Sequence, residues 1–131
     1  MRLPDTYHLL LRNGISDDYS MGYGSHLGFR AGTGASFAWY DLTREETAQL
    51  RIHPFCFMDT TAHFEQKLNV HDAFSKLHAM AFALEQAGST LVTVFHNFSL
   101  GTARESKGWR HAYESFLQEK TPHPKHHNEV L

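Results

Sequence analysis

The chain predicts an α/β fold in which parallel strands are joined by crossover helices. Three observations lead there. Leu91-Val92-Thr93-Val94-Phe95 has the β-branched and apolar content of a buried strand. Arg51 to Met58 is a second short run of the same kind, mostly apolar. Between them Phe74, Leu77, Ala81 and Leu84 recur at helical spacing over residues 71–87. A helix of about 17 residues between two buried strands implies a right-handed crossover, and hence a parallel pair.

The remaining elements follow in chain order. Pro4 suits a first helical turn, Tyr7, Leu10 and Leu11 mark one face, and Asn13-Gly14 is a stop signal. Asp17 to Tyr23 and Gly28 to Thr33 each read as a strand, joined by a turn containing Gly and Ser. Residues 34–49 read as a loop or short helix, with Thr43-Arg44-Glu45-Glu46 as its capping sequence. Asn69 caps the central helix, Asp72 suits its first turn and Gly88 ends it. A last helix spans about residues 108–119, with Trp109, Tyr113, Phe116 and Leu117 on one side. Ser106 is its expected cap, and Pro122 prevents it from continuing far.

Composition bounds the function. The 131 residues, 41% apolar and 13% aromatic, suit one folded domain. We place that domain at 1–120 and a polar, His-containing tail at 121–131. A net charge of -2 with no basic run gives no reason to expect nucleic acid or an anionic membrane. No apolar stretch approaches the roughly 20 residues needed to span a bilayer. The visible N-terminus, with Asp5 and His8, lacks a signal pattern, so the visible chain reads as cytoplasmic. Cys56, the single cysteine, sits in an apolar run and reads as a buried, inert thiol. Of eleven histidines, His123, His126 and His127 fall in the tail, and His8, His78 and His111 fall in helical patterns.

In parallel α/β architecture, working side chains gather at the C-terminal ends of strands. Asp59 follows the strand ending at Met58, and His96 the strand ending at Phe95. If the two strands are neighbours, Asp59 fixes the tautomer of His96 and favours its protonated form, ready to protonate a leaving group. The bland alternative has Asp59 capping Thr60-Thr61 with His96 packed beneath. Arg30, between small residues, either binds a carboxylate or substrate oxygen or holds a structural acid such as Asp18. Asp17 and Asp18 are adjacent on a strand and point to opposite faces, Asp18 inward. Phe37, Trp39 and Tyr40 form either a sugar-stacking groove or a covered apolar patch.

A set of blocks is more specific than any of these residues alone. It comprises Pro4-Asp5-Thr6-Tyr7 leading to Gly14-Ile15, Asp18-Tyr19-Ser20-Met21-Gly22-Tyr23, Gly28-Phe29-Arg30-Ala31-Gly32-Thr33, His53-Pro54-Phe55 with Met58-Asp59, His96-Asn97-Phe98-Ser99-Leu100, and Gly108-Trp109-Arg110 with Tyr113-Glu114. In order and content the set resembles the C-terminal part of a polysaccharide deacetylase-like (NodB-homology) catalytic domain.

The resemblance implies a distorted (β/α) barrel and metal-dependent N- or O-deacetylation of a carbohydrate polymer or oligosaccharide. The divalent metal, commonly zinc, is held in that family by an Asp and two His, and a neighbouring Asp is the base. By resemblance His96 matches the family's acid, Asp59 the Asp that tunes it, and Arg30 the arginine motif. The metal and base motifs, an Asp-Asp pair near a glycine and a His-x-x-x-His pair, do not occur ahead of these blocks. The resemblance thus implies a C-terminal portion of the barrel, with no metal ligand of its own and inactive alone. Such a portion leaves strand edges open, favouring self-association or pairing with an N-terminal half. The alternatives are a non-catalytic carbohydrate-binding or assembly module derived from that scaffold, and a small histidine-rich metal-binding protein.

Overall fold

The computed structural model describes residues 1–104 and 106–120. Helix α1, Asp5–Arg12, starts after Pro4 and ends at Asn13, where the turn residues put its bounds. Its Tyr7 packs with Met21, Leu50 and Ile52 into one of two apolar cores.

That core lies under a three-stranded sheet of order β1-β3-β2, formed by β1 (Asp17–Asp18), β2 (Phe37–Asp41) and β3 (Glu46–Ile52). β1 runs parallel to β3 and β2 antiparallel to it. Residues 34–49, expected as a loop or short helix, therefore hold most of a hairpin. Phe37 and Trp39 turn toward the core while Ala38 and Tyr40 stay exposed, the period-2 pattern of a half-buried strand. Thr43-Arg44-Glu45-Glu46 caps no helix and instead makes the hairpin turn. Asp41 Oδ1 accepts from the Thr43 amide at 2.9 Å, and the Asp41 carbonyl accepts from the Arg44 amide at 3.2 Å.

Three further expectations are corrected. Arg51 to Met58 is not one strand. β3 ends at Ile52, and a separate strand β4, Phe57–Met58, belongs to a second sheet. Pro54 has no N–H to continue a ladder, so the apolar run crosses between sheets as extended chain. Gly28 to Thr33 is also no strand. Gly28 (φ 127°) and Gly32 (φ 70°) take left-handed conformations that turn the chain, and the Gly28 amide reaches the Cys56 carbonyl at 2.8 Å. Of Asp17 to Tyr23, β1 retains only the first two residues.

The second half keeps the expected order. β4 pairs in parallel with β5, Thr93–Val94, in the register Phe57 to Thr93 and Met58 to Val94. Helix α2, Val70–Gln86, connects them, and its Asn69 cap accepts from the Asp72 amide at 2.9 Å. Its buried face, Ala73, Phe74, Leu77, Ala81 and Leu84, joins Phe57, Trp109 and Phe116 in the larger core. Burying each Leu or Phe there stabilises the fold by about 1.5–3 kcal/mol. Trp109 and Phe116 come from α3, Lys107–Lys120, whereas Leu117, expected on the same side, is exposed. Ser106 stands directly before α3, where its cap was expected, and its hydroxyl donates to the Phe98 carbonyl.

The architecture is thus mixed α/β, with small sheets and one parallel β-α-β unit, and among the described residues no closed barrel forms. No described helix is long and apolar enough to cross a membrane. Pro122 and the tail histidines lie outside the described residues.

Gly22 joins two of the sequence blocks, because a Cβ there would meet the ring of Phe55 at clashing distance. Gly22→Ala must displace that ring. We expect a loss of about 1–3 kcal/mol in urea unfolding, which Phe55→Leu in the same chain should partly restore.

Candidate active site

Parallel pairing makes β4 and β5 leave their sheet at the same end, and that end carries both residues read from the sequence. Asp59 follows Met58 directly, and His96 lies two residues beyond Val94. The Asp59 side chain is fully buried, yet each of its oxygens is occupied. Oδ1 faces His96 Nδ1 at 2.6 Å and accepts from the Thr60 amide at 2.7 Å, while Oδ2 accepts from the His96 amide at 2.8 Å. A buried carboxylate is tolerable only with such partners.

Local structure fixes both residues. Asp59 opens a helical turn that becomes a π-helix at Thr61–Glu65, a rare geometry that recurs near functional sites. Thr61, also buried, anchors that turn by donating to the Gly24 carbonyl at 2.8 Å. Just past β5, Phe95 packs on Phe57 and Tyr113, with ring centroids 5.6 and 4.2 Å apart. His96 then enters a tight turn, its carbonyl accepting from the Ser99 amide at 3.1 Å, and its ring stacks on Phe98 with centroids 5.4 Å apart.

An ionised carboxylate only accepts hydrogen bonds, so His96 Nδ1 carries the proton of the 2.6 Å bond. Nε2 is then the nitrogen left for chemistry. With 40% of the His96 side chain exposed and none of Asp59, the acid is hidden while the imidazole meets solvent. Both sequence alternatives are therefore present in part: Asp59 does take the Thr60 amide, but His96 is paired with it and is not packed beneath it.

The other candidate residues stand apart. Among the described residues no hydrogen bond, ion pair or ring contact joins Arg30, Trp39 or Tyr40 to Asp59 or His96. Arg30 is exposed, and its charge acts on Tyr7. Burial first, then the neighbouring Asp18 carboxylate, pushes the Tyr7 phenol up to about 12, and Arg30 opposes this. Asp18 does face inward, and it takes the Ser20 hydroxyl at 2.7 Å and the Tyr7 hydroxyl at 3.4 Å, with no Arg30 ion pair. Trp39 packs edge-on against Tyr7 and His8, each at 5.3 Å between centroids. Tyr40 is exposed, and with Trp39, Leu3, Pro4, Leu42 and Thr43 it lines a groove of about 430 Å³ on the first sheet. Burial pushes the Cys56 thiol up to about 11, as an inert core residue requires.

Sequence reasoning missed the two histidine–carboxylate pairs that join the sheet elements of the first half. His8 Nε2 meets Asp41 Oδ2 at 2.7 Å, and His53 Nε2 meets Asp17 Oδ1 at 2.9 Å. Both span long stretches of chain and depend on the unforeseen hairpin. Among the described residues no group of three or more His, Cys, Asp or Glu side chains could hold a metal ion. No protein-family model matches the chain, and no curated protein or solved structure matches it either.

Two outcomes follow. Asp59→Asn removes the charge that three N–H groups address, and should lower unfolding free energy by about 1.5–3 kcal/mol in urea titrations near neutral pH. Asp41 gives a pH signature. Burial raises its carboxyl, but hydrogen bonds from His8 and the Thr43 and Arg44 amides outweigh this and hold it below its ordinary value. A carboxyl depressed by folding contributes stability above its unfolded pKa and loses it as pH falls through the folded one. Asp41→Asn should therefore flatten the loss of stability measured between about pH 5 and pH 2.

Proposed function

We propose that the chain is the C-terminal part of a metal-dependent carbohydrate deacetylase of the polysaccharide deacetylase-like kind, and that it supplies the proton-donating side of the reaction. One observation carries this reading: a buried Asp59 holds His96 through Nδ1 at the C-terminal end of a parallel strand pair, and among the described residues no hydrogen bond engages Nε2. The sequence blocks support it independently, since Asp59 and His96 occupy the places where the family's tuning Asp and acid are expected. The β4-α2-β5 unit is what a segment of a distorted (β/α) barrel would contain.

In this reading the protonated His96 gives its Nε2 proton to the sugar nitrogen or oxygen as the bond to the acetyl carbon breaks. Asp59 does not transfer the proton; it fixes the tautomer and stabilises the imidazolium. The described residues offer no ligand set for the metal that the resemblance implies, so the metal and the base would come from elsewhere in a complete enzyme, and no step is assigned to them here. Arg30 receives no step, because among the described residues no hydrogen bond or ion pair joins it to Asp59 or His96.

A second reading, a carbohydrate-binding module without catalysis, draws on the Trp39–Tyr40 groove, where the exposed Tyr40 ring offers a flat apolar face to a sugar.

The coding sequence upstream of Met1 tests the first reading. It should carry an Asp-Asp motif and a His-x-x-x-His motif in frame. In the protein so encoded, His96→Ala should slow acetate release from an acetylated chito-oligosaccharide by about 10²–10⁴ while metal content stays unchanged. Loss of metal in that variant would show that His96 is a ligand and not an acid. Oligosaccharide binding with no acetate release from that protein would favour the second reading.

A further inference from the structure

The first sheet carries a constellation separate from the Asp59–His96 site. Its register puts Asp17, Arg51 and Ala38 in one row across β1, β3 and β2, and Asp18, Ile52 and Phe37 in the next. The His53 amide still bonds to the Asp18 carbonyl at 2.8 Å, so pairing continues one row further, to Tyr19, His53 and Ser36. Side chains alternate between faces, so Asp17, His53 and Ser36 share the outer face while Asp18 and Ile52 face the core. There Ser36 Oγ lies 2.8 Å from His53 Nδ1, and His53 Nε2 lies 2.9 Å from Asp17 Oδ1. The Tyr19 ring stacks on the imidazole, 4.3 Å between centroids and 10° from parallel, which holds its plane.

The direction of these bonds is set by chemistry. Asp17 is kept ionised, its carboxyl lowered first by the His53 hydrogen bond and then by that of Ser16. A carboxylate cannot donate, so Nε2 carries the imidazole proton and Nδ1 presents its lone pair to the Ser36 hydroxyl. Nucleophile, base and orienting acid are thus in hydrogen-bond sequence on a solvent-facing surface, the arrangement that activates serine on unrelated folds. Arg51, in the adjacent row of the same face, adds positive charge beside the site.

We propose that Ser36, His53 and Asp17 form a second, acyl-accepting site that takes small esters with good leaving groups. Ser36 Oγ bonds to the ester carbonyl carbon as its proton passes to His53 Nδ1. The carbon–oxygen bond to the alcohol then breaks, and Nδ1 returns the proton to the departing oxygen. Water hydrolyses the acyl-serine by the same route, so the net products are acid and alcohol. None of these residues contacts Asp59 or His96, and the proposal stands whether or not the chain is part of a deacetylase.

The chain contains its own control. Ser25 Oγ lies 3.1 Å from His26 Nδ1, on the surface, but among the described residues His26 has no carboxylate partner. The chain is treated with p-nitrophenyl acetate or a fluorophosphonate, and adducts are located by peptide mass spectrometry. Ser36 should be modified at least about tenfold faster than Ser25, with Ser36→Ala abolishing that adduct. His53→Gln should slow Ser36 modification by about 10² or more, and Asp17→Asn, at an exposed position, by about tenfold. Equal labelling of Ser25 and Ser36, no adduct at Ser36, or a Ser36 rate indifferent to Asp17→Asn would each overturn the proposal.

Discussion

The second half of this chain is organised around the buried carboxylate of Asp59. It sits where β4 becomes a helical turn, and its partners come from its own turn and from the end of β5. A charge removed from water carries a cost of several kcal/mol unless its lone pairs are filled. Here the Thr60 amide, the His96 amide and the His96 ring fill them. The strands are only two residues each, too short for their ladder alone to hold them in register. The carboxylate supplies a cross-link at the point where the ladder ends. Around it, Phe57, Phe74 and Phe95 pack ring against ring and exclude water from the inner side.

That constraint links the fold to the proposed function. The same bonds that satisfy Asp59 fix the orientation of His96 and engage Nδ1, not Nε2. A histidine held this way needs little reorganisation to give up a proton, which is what an acid catalyst requires. Two histidine–carboxylate pairs of the first half show how much burial matters. In the pair of His8 and Asp41 the imidazole is turned inward against Trp39, so it locks α1 to the hairpin. In the pair of His53 and Asp17 the carboxylate is half exposed and the imidazole is engaged at both nitrogens, which turns its influence onto Ser36.

Local signals made part of this legible in the sequence. The central helix has a cap at Asn69, apolar residues at helical spacing and a glycine after its end, and these agree with one another, so α2 appears where they put it. Asp59 and His96 were visible because each follows an apolar run that pairs as expected. The hairpin was missed for a physical reason. Its turn, Leu42 to Glu45, lacks the Asn-Gly or Asp-Gly dipeptide that marks tight hairpins, and Thr-Arg-Glu-Glu mimics a helix cap. The alternation of Phe37, Ala38, Trp39 and Tyr40 was the available clue. Without the hairpin, the docking of Asp41 on His8 and of Ser36 on His53 could not be foreseen, because both are set by sheet register and not by spacing along the chain.

The most direct test of the account is the protonation pattern of the His96 ring, read by long-range proton–nitrogen correlation NMR in the histidine-labelled chain. The structure predicts that neutral His96 holds its proton on Nδ1, with Nε2 bare, and that Asp59→Asn shifts the ring toward the Nε2-protonated tautomer common in free histidine. A wild-type His96 protonated on Nε2, or a pattern indifferent to Asp59→Asn, would contradict the claim that a buried carboxylate prepares this histidine as an acid.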